Sequence, residues 1–176
     1  DILHKNTSNV IGTRAFSSIP HIVTELAKEA CKGLQKHKIL PILKHIPGHG
    51  RAKSDSHLEL PEVNLSKLKL VKDFLPFKAL NNLPAAMTAH IKFTKLDKNN
   101  AVTLSKKIIR EIIRKQIGFK GLLFSDDICM RALKGPYFFR ASKSISAGCD
   151  LILHCDGNIN NTIKSTLGAG LLNQST

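Results

Sequence analysis

The 176-residue chain is 42% hydrophobic and carries a formal charge of +14, a size that suits one domain with a core of its own. No apolar run approaches the roughly 20 residues of a membrane span, and the opening DILHKNTSNV lacks the apolar stretch of a secretory signal, so neither membrane insertion nor export is indicated. The charge comes from 21 Lys against 6 Arg scattered along the chain, which reads as a solvated lysine-rich surface rather than a nucleic-acid-reading face built on Arg forks.

In chain order, DIL (1–3) reads as the tail of a strand. HIVTELAKEACKGLQKHK (21–38) has helical spacing, with Ile22, Leu26, Ala30 and Leu34 stacked four apart. ILPILKHI (39–46) is a continuous apolar run and predicts a buried strand. SKLKLVKDFLPFKAL (66–80) returns to helical period behind Ser66, a plausible N-cap. AAMTAHI (85–91) is a short strand. SKKIIREIIRKQIGF (105–119) is an amphipathic helix whose inner stripe is Ile108, Ile109, Ile112 and Ile113. GLLFSDD (121–127) is the next strand, FFRASKSISAG (138–148) a helix closing at Gly148, DLILHC (150–155) a strand and NINNTIKSTLGAGLL (158–172) a last helix.

Apolar strands alternating strictly with helices predict a parallel α/β sheet, either a barrel segment or a doubly wound open sheet. Ionisable groups stand at the same end of each strand. Lys44 and His45 follow ILPIL, His90 ends AAMTA, Ser125 and Asp126 end LLF, and His154 ends LIL. Carboxyl strand ends carry the active face of a (β/α)8 barrel. Four complete strands are too few for that barrel, so the chain reads as a piece of one or as an open sheet.

The loop KHIPGHGRAKSDSH (44–57) packs three His, two Lys, one Arg, one Asp and two Gly behind a strand. Asp55 and His57 form a D-x-H pair in which a carboxylate can orient an imidazole and stabilise its charged form. Gly48 and Gly50 suggest a loop that bends and moves. Asp126 and Asp127 are neighbours on one strand, so only one can face the mouth, and the other suits a helix-capping role. His45, His49, His57 and His90 lack regular metal-ligand spacing, and His154 reads as structural. Cys31, Cys129, Cys149 and Cys155 contain no C-x-x-C and read as reduced thiols of a cytoplasmic protein rather than a zinc or disulfide framework.

Together KHIPGHGRAKSDSH, GFKGLLFSDDICM (118–130), VIGTRAFS (10–17), MTAHI (87–91) and AGCDLILHC (147–155) resemble, in order and spacing, glycoside hydrolase family 3 in its bacterial β-N-acetylglucosaminidase branch. The resemblance covers essentially residues 1–176, as a single catalytic domain running from about the end of strand 3 to helix 7 of a (β/α)8 barrel. It departs from the family at Thr13, where an acidic residue is usual, and at Asp156, where Asn is common.

The resemblance implies a retaining β-N-acetylhexosaminidase with Asp126 as nucleophile, His57 as general acid/base, Asp55 as its partner, and Arg14, Lys44 and His45 as sugar-binding residues. It implies no metal or organic cofactor, and a substrate of peptidoglycan-derived muropeptides: N-acetylglucosamine linked to 1,6-anhydro-N-acetylmuramic acid, with or without peptide. Two other readings stand beside it. One is an inactive remnant of such an enzyme, since the family's first strands lie outside these residues. The other is a basic protein that binds nucleic acid or another anionic polymer.

Overall fold

The computed structural model describes residues 1–172. Its centre is a four-stranded parallel sheet of β1 (Ile42–Ile46), β3 (Ala85–Thr88), β5 (Leu122–Asp127) and β6 (Leu151–Leu153), lying side by side in sequence order. Helices α1 (Pro20–Lys36), α2 (Lys67–Ala79), α3 (Lys106–Ile108, running on as wider turns over Ile109–Ile117), α4 (Tyr137–Ala147) and α5 (Ile159–Ala169) connect and flank these strands. Each helix packs on the next in the chain. A doubly wound sheet reverses its strand order at a switch point. No reversal occurs here, so the arrangement is a segment of a (β/α)8 barrel.

Local chemistry accounts for the boundaries. The Ser105 hydroxyl accepts the Ile108 amide at the start of α3, and Gly118 closes its wider turns at φ 80°. Asn158 caps α5 by accepting two amides. The main core lies between the sheet and α2 and α3. Leu43, Ala86 and Leu123 meet Leu70, Phe74, Phe77, Ile109 and Ile113, all buried, so removing Ile113 to Ala would cost about 2–5 kcal/mol.

Several details differ from the sequence reading. Residues 1–3 form no strand. A second, two-stranded parallel sheet pairs β2 (Glu62–Val63) with β4 (Lys92–Phe93), and two residues carry too little periodicity to reveal it. Ser66 stands at the start of α2 without a side-chain capping bond. Helix α1 buries Val23 and packs Ala27 and Cys31 on the core, while Ile22, Leu26 and Leu34 remain exposed. The apolar stripe is wide, and its inward face is one residue round from the one the fourfold spacing picked out. On the far flank, Ile159, Ile163 and Leu167 of α5 are also exposed.

Candidate active site

The parallel strands deliver their carboxyl ends to one side of the sheet, where a cleft of about 200 Å³ is lined by Val10, Ile11, Arg14, Lys44, His45, His49, Ser56, His57 and Asp126. Five of the six residues singled out from the sequence therefore meet in one place. The sixth, Asp55, stands directly behind His57. They arrive from three separate stretches: the short 3-10 turn Gly12–Arg14, the end of β1 with its loop, and the end of β5.

Register breaks at two of these points. The β1–β3 pairing slips between Lys44 and Ile46, and the β5–β6 pairing between Phe124 and Asp127. Such irregularities beside active sites re-aim side chains, and here they accompany His45 and Asp126. The Asp126 carboxylate is nearly buried, with 14% of its side chain exposed. Its Oδ1 accepts the Asp127 amide at 2.8 Å, and its Oδ2 stands 3.9 Å from His45 Nε2. Asp127 faces elsewhere: its Oδ1 accepts the amides of Cys129 (2.9 Å) and Cys155 (3.1 Å), tying the loop after β5 to the loop after β6. The helix-capping role expected of Asp127 is thus a loop-pinning role, because α4 begins only at Tyr137 behind Pro136.

A buried polar layer supports this carboxylate. His45 Nδ1 donates to the Asp1 carboxylate at 2.8 Å, and Arg14 Nη2 donates to His45 Nε2 at 3.4 Å. Burial pushes the His45 pKa down to about 3, against the upward pull of Asp126 and with help from Lys44 and Arg14. His45 is therefore neutral at pH 7. Burial also lowers His49 to about 4, with His45 adding to the effect. Its Nε2 faces Ser56 Oγ at 3.1 Å, while its Nδ1 is buried without a partner.

His90, fully buried and likewise lowered by burial, donates from Nε2 to the Asp127 carbonyl at 3.0 Å and accepts the Thr103 hydroxyl at Nδ1 at 2.7 Å. Asp1, His49, His90 and Thr103 are the supporting residues that sequence reasoning did not assign. A His at a strand end was visible for His90, but nothing in the sequence pairs Asp1 with residues 44 positions away.

The Asp55–His57 pair lies at the outer edge. His57 Nδ1 donates to Asp55 Oδ1 at 2.7 Å, and the same oxygen accepts the His57 amide at 2.8 Å. That backbone bond, more than the imidazole contact, holds the Asp55 carboxyl below its ordinary range. Asp55 is thus an anion that fixes the ring and leaves Nε2 free. The His57 side chain is 57% exposed.

Exposure belongs to this tip and not to the glycines. Gly48 and Gly50 are buried, and a Cβ on Gly50 would lie 1.7 Å from the Ile2 carbonyl oxygen. These glycines permit close packing rather than movement.

The four histidines considered as metal ligands do not gather as a set. Among the described residues, the donors that approach one another are Cys129, His154 and Asp156. His154, read as structural, bonds Asp156 and Ser165. All four cysteines are unpaired.

A barrel segment with a pinned carboxylate at one strand end and a carboxylate-oriented imidazole over the same cleft is suited to nucleophilic and acid–base chemistry at the carboxyl face of the sheet. The chain belongs to glycosyl hydrolase family 3: the family's N-terminal domain matches residues 1–176. It is 41% identical over 155 residues to a beta-hexosaminidase of Tolumonas auensis, and 40% identical over 152 residues to one of Neisseria meningitidis serogroup C. These alignments span 85% and 84% of this chain but 46% and 42% of the relatives, so the chain spans about half the length of the curated relatives it matches.

Among solved structures, a family 3 β-N-acetylglucosaminidase from Paenibacillus superposes with a TM-score of 0.89 at 29% identity, covering 96% of this chain and 33% of that one. Native NagZ from Neisseria gonorrhoeae superposes at 0.82 with 36% identity, covering 92% of this chain and 48% of that one.

Proposed function

We propose that residues 1–176 form a catalytic domain of a retaining β-N-acetylhexosaminidase that removes terminal β-linked N-acetylglucosamine from peptidoglycan-derived muropeptides. The observation that carries this reading is the convergence of Arg14, Lys44, His45, His57 and Asp126 on one cleft. The names of the relatives, beta-hexosaminidase and β-N-acetylglucosaminidase, support the sugar.

In the first step Asp126 Oδ2 attacks the anomeric carbon while His57, as imidazolium, passes its Nε2 proton to the departing glycosidic oxygen. The C1–O bond breaks and an ester to Asp126 forms. His57, now neutral, then takes a proton from water. The hydroxide oxygen attacks C1, and the Asp126 carboxylate leaves with its electron pair, restoring both residues.

Asp55 favours the imidazolium in the first half and keeps Nδ1 engaged throughout. Neutral His45 places no proton on Asp126, so the carboxylate stays available as a nucleophile. Arg14 and Lys44 offer donors to sugar hydroxyls and to the acetamido group. The setting we propose is cytoplasmic, which four unpaired thiols suit.

The test is hydrolysis of N-acetylglucosaminyl-anhydromuropeptide by the full-length protein, followed by chromatography of released N-acetylglucosamine. Release by the natural protein and none by Asp126→Ala supports the reading. No release by the natural protein favours the inactive remnant.

A further inference from the structure

At the carboxyl ends of β5 and β6, outside the catalytic cleft, three metal-ligating side chains of different chemistry converge. Cys129 sits on the loop after β5, and His154 and Asp156 follow β6. Cys129 Sγ lies 3.3 Å from His154 Nδ1, and His154 Nε2 lies 2.7 Å from Asp156 Oδ1. One donor atom from each residue falls within 4.8 Å of the other two.

We propose that Cys129, His154 and Asp156 form a binding site for a borderline-soft divalent cation, zinc being the best fit. Ligand atoms around a tetrahedral zinc stand about 3.3–3.7 Å apart when Zn–S is about 2.3 Å and Zn–N and Zn–O about 2.0–2.2 Å. The Cys129–His154 separation already has that value. Asp156, on an exposed loop, would close the rest by exchanging its contacts with the Asn161 side chain and His154 Nε2 for the cation.

A thiolate, an imidazole and a carboxylate together match zinc rather than magnesium or calcium, which take oxygen ligands. Three protein ligands leave a fourth position for water. Tyr137 packs edge-on against the imidazole, and the Ser165 hydroxyl, 2.9 Å from His154 Nδ1, would yield that nitrogen to the cation. The Asp127 carboxylate fixes the Cys129 and Cys155 amides, holding the two donor loops together. Such supporting contacts set the ring and loop geometry of a metal site. None of the three ligands lines the catalytic cleft, so the cation would clamp the loops after β5 and β6 beside it.

The experiment is titration of the metal-stripped full-length protein with cobalt(II) and then zinc. The expected result is one equivalent bound, a near-ultraviolet thiolate-to-cobalt absorption band, and a rise in the thermal midpoint with metal. Cys129→Ser abolishes the band and weakens zinc binding by more than about tenfold, and Asp156→Asn, which keeps the side-chain shape, weakens it by about tenfold. His57→Ala leaves band and affinity unchanged. The proposal is overturned if the natural protein gives no thiolate band, if Cys129→Ser and Asp156→Asn both retain full zinc affinity, or if His57→Ala loses the metal.

Discussion

The two halves of the proposed catalytic pair are held in opposite ways. Asp126 is nearly buried at a strand end, one oxygen fixed by a backbone amide, above a layer of buried His45 and His90. His57 stands on an exposed loop tip, tied to the protein through Asp55 alone in side-chain terms. A nucleophile has to meet the anomeric carbon at one place, and a strand end supplies that rigidity. A proton donor has to reach a departing oxygen and later a water, and a tip that can move serves both. The difference predicts that damage at Asp126 is absolute, whereas damage at His57 depends on the substrate.

The largest effect follows at the rigid end. Asp126→Ala should lower kcat by about ten-thousandfold or more, because the attacking atom is gone. Asp127→Ala should lose much less and act through loop placement. Steady-state kinetics on one aryl N-acetyl-β-glucosaminide would rank the two, and the reverse ranking would exchange their roles.

At the exposed end, His57→Ala should cost about 10²–10⁴-fold on a natural disaccharide. It should cost far less in the glycosylation step with an acidic phenol as leaving group, which departs without a proton. Equal losses on both substrates would remove His57 from proton transfer. Asp55→Asn should resemble His57→Ala at about a tenth of its severity or less, since it removes one charge-assisted bond of about 1.5–3 kcal/mol and leaves the imidazole in place. A pH–rate profile checks this: the alkaline-side limb of kcat/KM should move to lower pH when Asp55 loses its charge, which a purely structural defect would not produce.

Much of this division was readable in the sequence. The strands at 42–46, 85–88, 122–127 and 151–153 showed as short apolar runs, although only 85–88 is buried along its whole length, and the stripe of Ile108, Ile109, Ile112 and Ile113 showed because it is wholly buried. Asp55 and His57 could be paired because their contact is local, two residues apart. The support of Asp126 was not legible. Asp1 reaches His45 across 44 positions, and His90 reaches the Asp127 carbonyl across 37. Both contacts depend on strand order rather than on any local pattern. The glycines misled for a related reason: a Gly needed for close approach to Ile2 looks, in one dimension, like a Gly needed for bending.

A last effect, on stability rather than turnover, separates the two ends by acid. His45, His49 and His90 are buried and their pKa values are lowered, to about 3 for His45 and about 4 for His49. Below the ordinary value of 6.5 the unfolded chain takes up protons that these folded sites refuse. Stability is therefore full above about pH 6.5 and falls as pH drops towards 4, by up to about 1.4 kcal/mol per pH unit for each histidine. Calorimetry between pH 7 and 4 should show the thermal midpoint falling, with a shallower slope in His49→Gln. An unchanged slope would mean that His49 is not held neutral by burial.

The account rests on a covalent bond to Asp126, and a trapping experiment addresses that bond directly. The full-length protein is incubated with a fluorinated N-acetylglucosaminyl fluoride that glycosylates quickly and hydrolyses slowly, then digested and sequenced by mass spectrometry. The account predicts one N-acetylhexosaminyl ester on the peptide carrying GLLFSDDICM, located at Asp126 and absent from Asp126→Ala. A label on Asp127, or turnover of the reagent with inversion and no labelled peptide, would contradict it.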